Sequence, residues 1–322
     1  MKWTMRIALL LGTGLCVVLV VRAGLAPILD LLAAAGWTLL WLVPLHALPL
    51  GLDVLGWRTL LRAAGVGPQR TALGRLFVIA SCREAVNRLL PVANVGGEIV
   101  GIRMLCRVGA DPAPVAAIAA SVVAEVLLTI ISQLLFAAAG VLLLSLAGKV
   151  AIAAELLVGL GLSVPLIAGL YMLAHRGSVF ERLLRAIEGM LDLPLQLRGL
   201  LDQAVALDAR LRALLEHAAA LFSTVGWQLA GLAAGTIETW LALRWLQHPV
   251  GFATAVALES LTQAIRHFIF VVPAGLGIQE AGLVGLGYLL GLGTDASIAL
   301  SLAKRMREIL FGVPALVYWQ LT

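Results

Sequence analysis

Of the 322 residues, 61% are hydrophobic and 13% charged, and the formal net charge is +5. Soluble domains of this length carry far more charge; this is the composition of a polytopic helical membrane protein. The apolar runs are continuous rather than alternating, which argues against a transmembrane β-barrel, and the positive charge lies on scattered arginines, which gives no case for nucleic acid binding.

The chain opens with Lys2 and Arg6 and then runs apolar to Val21. A signal peptide shares this outline, but no A-x-A cleavage site follows and Arg22 comes at once. Met5–Val21 is therefore read as a first transmembrane helix, which with its linker makes an N-terminal unit over 1–35. A spanning helix needs about 20 mostly apolar residues. Gly36–Leu55, Val115–Leu146 and Val150–Leu173 qualify within a first membrane half, 36–174. Leu221–Leu246 and Ser297–Leu321 qualify within a second, 218–322. Between the halves lies a polar stretch, 175–217. Phe180–Met190 and Leu197–Leu215 there place Leu and Ile at helical spacing with Arg and Glu between, which predicts two amphipathic helices on the cytoplasmic membrane surface.

Two further segments, Leu76–Leu105 and Gly251–Leu292, are apolar enough to enter the membrane but share an interruption. The first holds Pro91, Asn94, Gly96, Gly97 and Glu98; the second holds Pro273, Gly275, Gly277, Gln279 and Glu280. Each motif runs from a proline through two glycines to a glutamate. Pro and Gly break a helix, and a carboxylate in hydrocarbon is costly. Broken helices at matching places in two halves point to a transporter's binding site. Both segments are predicted to be re-entrant helical hairpins, 76–105 and 251–292.

Arginine placement supports this topology. With the N-terminus in the cytoplasm and the first hairpin entering and leaving on one side, Arg58, Arg62, Arg70, Arg75, Arg103, Arg107 and the arginines of 175–217 all face the cytoplasm. Only Arg22, Lys149 and Arg244 fall outside, as the positive-inside rule requires. The second hairpin then approaches from the outer face. The expected fold is all-α: a polytopic integral membrane protein with about six full spans plus two re-entrant helical hairpins, arranged as an inverted-topology repeat. Behind each hairpin comes a long helix carrying an acid, Glu125 or Glu308, although chance likeness between apolar helices also produces such matches.

The deep charged residues are Arg83, Glu84, Arg88, Glu98, Glu125, Glu238, Glu259, Arg266, Glu280, Lys304, Arg305, Arg307 and Glu308. Facing lipid, each costs on the order of 3 kcal/mol, so most must face one another, a cavity or an interface. Structural ion pairs holding a bundle together are the plain alternative to a site. Glu84 and Arg88 form an i, i+4 pair leading into the first tip, with Arg83 and Asn87 alongside. The acids Glu98, Glu125 and Glu280 are the expected partners of Lys304, Arg305 and Arg307. Two tips meeting near the midplane would gather Asn94, Glu98, Gln279 and Glu280. The glycines are equally open to a reading as close helix contacts. Cys16, Cys82 and Cys106 show no CxxC spacing, and His46, His175, His217, His248 and His267 are scattered, so neither a metal nor another cofactor is expected.

The two motifs, together with Glu84–Asn87 and the Lys304–Glu308 run, resemble the flippase-like family that includes the transmembrane region of lysylphosphatidylglycerol synthases, and within it the hopanoid-biosynthesis-associated HpnL subgroup. The resemblance covers about Trp37 to Trp319; Gly101 stands where arginine is frequent in the family. It implies a bacterial inner-membrane protein that moves a polycyclic triterpenoid lipid toward the outer membrane. Aminoacyl transfer, which the synthases perform with a further soluble domain, is not expected of these 322 residues. The residues themselves support a polar-lined cavity for a lipid between two halves, and only the resemblance brings in hopanoids. Expected partners are the lipid and the membrane, with a homodimer or contact with lipid-synthesis enzymes as further expectations. An accessory subunit for those enzymes and a membrane-embedded head-group transferase are the rival readings.

Overall fold

The computed structural model describes residues 25–90, 96–109, 111, 114–146, 148, single helical positions between 154 and 172, 198–268 and 277–322. The expected spans over 5–21 and 150–173, the helix over 180–190, and Pro91, Asn94, Pro273 and Gly275 lie outside these residues, wholly or in large part. The described residues are all helix, turn and loop: α1 (Leu25–Ala35), a 3-10 turn (Gly36–Trp41), α2 (Leu42–Ala63), α3 (Leu73–Leu89), α4 (Gly96–Cys106), α5 (Val115–Leu146), α6 (Arg198–Leu215), α7 (Ala218–Trp245), α8 (Phe252–Phe268), α9 (Ile278–Leu290) and α10 (Thr294–Leu321).

Three stretches, Ala26–Ala63, Val115–Leu146 and Ala218–Trp245, are long and apolar enough to cross a membrane. At 28 residues α10 is long enough too, about 42 Å, but Lys304, Arg305, Arg307 and Glu308 interrupt its middle. Residues 25–35 are helix rather than the expected linker. This stretch is rich in Leu and Ala, and Pro27 falls in its first turn, where backbone N–H groups have no partner within the helix and a missing one costs little. The amphipathic helix expected at 197–215 forms as α6. Its apolar face packs on protein: Leu211, Leu214 and Leu215 are buried against Leu60, Ala120, Ala124 and Leu128.

Local chemistry sets the hairpin boundaries. Leu90 closes α3 in an extended conformation (φ −107°, ψ 149°), as the residue before a proline must. Gly277 starts α9 at φ 77°, a backbone state closed to most side chains. Gly291 ends that helix in the left-handed region, with Leu292 N–H donating to the carbonyl of Gly287. In the first hairpin α4 turns back along α3: Gly97 lies beside Arg83 and Asn87, and Leu105 packs with Leu76 and Ile79. In the second, Gly282 of α9 lies beside Ile265 of α8, with Leu283 and Leu286 packed near Leu258 and Leu261.

The two halves interlock reciprocally. The helices ahead of the hairpins, α2 and α7, run antiparallel along each other, with His46 at Glu238, Asp53 at Gly231 and Gly56 at Thr224. Thr224 Oγ1 donates to the Gly56 carbonyl at 3.2 Å. Behind the hairpins the partners are exchanged: α5 of the first half packs on α8 of the second, and α10 of the second packs on α3 of the first. A glycine sits at each crossing, Gly140 against Ala257 and Ser260, and Gly312 against Ala85 and Leu89. Close backbone approach through small residues is how helices associate in lipid, where no hydrophobic drive separates them from tails.

Candidate functional site

The long helices and hairpin legs converge on buried charge. On α3, Arg83 donates to Glu98 of α4 and to Glu125 of α5, at 2.8 Å for the latter, and its guanidinium lies 4.5 Å from the centre of the Trp57 ring. Asn87 holds the same hairpin closed. Its Oδ1 accepts from Gly97 N–H at 2.8 Å, and its Nδ2 donates to Glu98 at 3.4 Å. A Cβ on Gly97 would collide with the Arg83 carbonyl, so close packing and loop chemistry both require the glycine there. Gly96 opens α4.

The second half carries a parallel arrangement. Arg266 of α8 donates to Glu308 of α10 at 2.9 Å. Glu280, 1% exposed at the start of α9, accepts from Arg305 at 3.1 Å and from Ser301 at 3.3 Å, and Gln279 reaches Ser301 at 3.5 Å. Arg305 also pairs with Glu308 at 3.0 Å. Lys304 pairs with Glu259, which accepts from Thr239 and Gln263 as well. In both halves, then, an arginine of the hairpin's first leg meets the acid of the following long helix: Arg83 with Glu125, Arg266 with Glu308.

A third group joins the halves. His46 of α2 lies 2.9 Å from Glu84 of α3 and 3.1 Å from Glu238 of α7. Arg307 of α10 pairs with Glu238, lies 2.9 Å from His46 Nδ1, and stands 3.8 Å from Glu308. Arg88 is the most loosely held cation, 3.7 Å from Glu84 and 4.0 Å from Glu308. Charges so far from water are stable only when paired and hydrogen-bonded. Against this group lies a cavity of about 10 Å³ lined by His46, Glu84, Ala85, Arg88, Glu308, Phe311 and Gly312, room for one water. A larger groove of about 660 Å³ lies elsewhere, between Ala34, Ala35 and Thr38 and the end of α7.

The expected pairings are thus redistributed. Glu280 does meet Arg305, but Glu98 and Glu125 go to Arg83, Lys304 to Glu259, and Arg307 to Glu238. Among the described residues Glu98 and Glu280 share no ion pair; the link between halves runs through His46, Glu84, Arg88, Glu238, Arg307 and Glu308. His46 was missing from the expected site, and Glu238 and Glu259 had no assigned place in it. The available signal was His46 and Asp53 seven residues apart, on one face of an apolar span.

A family model described as the lysylphosphatidylglycerol synthase TM region matches residues 5–315. The chain belongs to that family, and so is a helical membrane protein of a group tied to lipid handling. No curated protein and no solved structure matches it.

Proposed function

We propose that the protein is a flippase-like lipid transporter of the bacterial inner membrane, with its N-terminus in the cytoplasm. On this reading the pairs α3–α4 and α8–α9 are re-entrant hairpins entering from opposite faces, and the halves form an inverted-topology repeat that alternates access by rocking about them. The observation that carries the proposal is the charged group shared by both halves at their junction. Charge buried in a membrane protein marks a substrate or ion path more often than a scaffold. The exchanged packing of α5 on α8 and α10 on α3 supports a repeat, because a two-fold relation turns one contact into the other.

The described arrangement is then the closed one, since a cavity of about 10 Å³ admits no head group. Opening separates α2 and α3 from α7 and α10. Arg88, with its long contacts, and Glu280, whose Oε2 has no hydrogen-bond partner among the described residues, are the groups most available to a polar lipid end. The cavity lining of the open form would also draw on the tips, with Pro91, Asn94, Pro273 and Gly275. The hopanoid assignment rests on the family resemblance alone; a rigid hydrocarbon with a small polar end is compatible with apolar walls around a few charged groups.

The test is leaflet exchange in liposomes holding the full chain and a fluorescent hopanoid analogue, with a phospholipid analogue beside it. Faster exchange than in protein-free liposomes is expected, lost in a folded E280Q variant. No exchange with the unaltered chain, or unchanged exchange with E280Q, overturns the proposal. Equal rates for both analogues would remove the hopanoid assignment.

A further inference from the structure

His46 is a buried titratable group to which the transport reading gives no task. Its Nε2 lies 2.9 Å from Glu84 Oε2 and its Nδ1 3.1 Å from Glu238 Oε1. Carboxylates only accept, so both contacts are hydrogen bonds when the ring carries two protons. The same Nδ1 lies 2.9 Å from Nη1 of Arg307, a group that only donates. Nδ1 therefore has a partner in either state. Protonated, it donates to Glu238; deprotonated, it accepts from Arg307, while Nε2–H stays on Glu84.

The surroundings give the ring a partner with that proton and without it. The groups facing the ring are Glu84 and Arg88 from α3, Glu238 from α7, Arg307 and Glu308 from α10, and Asp53 on its own helix. The ion-paired carboxylates Glu84, Glu238, Glu280 and Glu308 are matched by Arg88, Arg266, Arg305 and Arg307, and Asp53 stands outside these pairs among the described residues. A protonated ring adds one positive charge. Close by, Glu98 of α4 and Glu125 of α5 share Arg83 of α3, and that surplus of negative charge offsets it. The cavity of about 10 Å³ touches His46, Glu84, Arg88 and Glu308, and one water there would give a proton a path to the ring.

We propose that His46 is a proton-operated clamp between the two halves: with the proton on Nδ1 it holds Glu238 of α7, and without it Nδ1 passes to Arg307 of α10, so that the proton decides which second-half helix α2 is held to. Proton binding forms only the Nδ1–H bond, with the proton drawn from water and returned to it. The proposal rests on the transport reading for the part this clamp plays in a cycle, and it makes the proton the ligand that sets the equilibrium between closed and open forms.

The test is the ¹⁵N spectrum of histidine-labelled full chain in liposomes between about pH 5 and 11, a window that reaches well past the free-histidine range on the alkaline side. The His46 signal is isolated by difference from H46Q. If H46Q does not fold, a chain keeping His46 and carrying Gln at His175, His217, His248 and His267 serves instead. Two protonated ring nitrogens in acid are expected, with Nδ1 alone losing its proton as pH rises. A ring in one state throughout, or one that keeps the Nδ1 proton and loses that of Nε2, overturns the proposal. Lipid exchange in the same liposomes is expected to change by up to about tenfold across that titration, the upper bound set by trading one charge-assisted hydrogen bond for another. Exchange that ignores pH while His46 titrates overturns the clamp and leaves transport standing; no exchange at any pH, with His46 titrating, overturns transport and leaves the proton site.

Discussion

Glu308 is the acid on which the buried charge converges, and replacing it with glutamine tests whether the cluster holds the helices together. Glu308 is 5% exposed, accepts from Arg266 at 2.9 Å and Arg305 at 3.0 Å, and stands within 4.0 Å of Arg88 and 3.8 Å of Arg307. Glutamine keeps the shape and removes the charge. Arg266 then has no carboxylate partner among the described residues, and the four guanidinia outnumber the three acids left, Glu84, Glu238 and Glu280. Removing one member of a buried pair costs about 3–5 kcal/mol, because the other charge stays buried. Glu259→Gln is the internal comparison. Its carboxylate serves one cation, Lys304, so that change strands one buried charge at the same cost, whereas E308Q strands Arg266 and also takes a charge-assisted hydrogen bond from Arg305, worth about 1.5–3 kcal/mol. Reversible unfolding in detergent, followed by helix content, should rank E308Q below E259Q by about 2 kcal/mol. If E308Q is as stable as E259Q or as the unaltered chain, the convergence of charge on Glu308 is not what holds these helices.

Four further substitutions have defined outcomes. Gly97→Ala should lower stability by about 1–3 kcal/mol by driving a methyl into the Arg83 carbonyl, whereas Gly74→Ala, with nothing within 4 Å, should be neutral or slightly stabilising in the same thermal melts. Gly277→Ala should cost about 1–2 kcal/mol because its φ of 77° is strained for any L side chain; unchanged melting would show that α9 starts otherwise. Arg83→Lys should weaken the first hairpin despite the kept charge, since a lysine has no planar fork or ring-stacking face to offer Glu98, Glu125 and Trp57. A stability loss of about 1–2 kcal/mol is expected, and full stability would show that charge alone matters there.

Much of this was legible in the sequence for identifiable reasons. Composition gave the membrane class, because no other environment accepts so many apolar residues. Leu90 before Pro91, and Gly277 after the second proline, gave the positions where helices must stop and start, because those restrictions are local. The set of buried charges was visible because each is conspicuous in apolar sequence. Their pairing was legible only for Glu84 with Arg88 and Glu280 with Arg305. Lys304 finds Glu259 and Arg307 finds Glu238 across separations of 45 and 69 residues within the second half, where only the way α10 packs against α7 and α8 sets the partner, and no helical spacing encodes that. His46 was read as isolated because its carboxylate partners lie 38 and 192 residues away.

The most direct test of the account is a structure of the full chain in nanodiscs made from its host's own lipids. The account predicts that α3–α4 and α8–α9 each return to the face they entered, from opposite leaflets. It also predicts elongated lipid density with its polar end at Arg88 and Glu280. Either element passing straight through the bilayer, or lipid confined to the outer surface of the bundle with the charged centre shut, would contradict it.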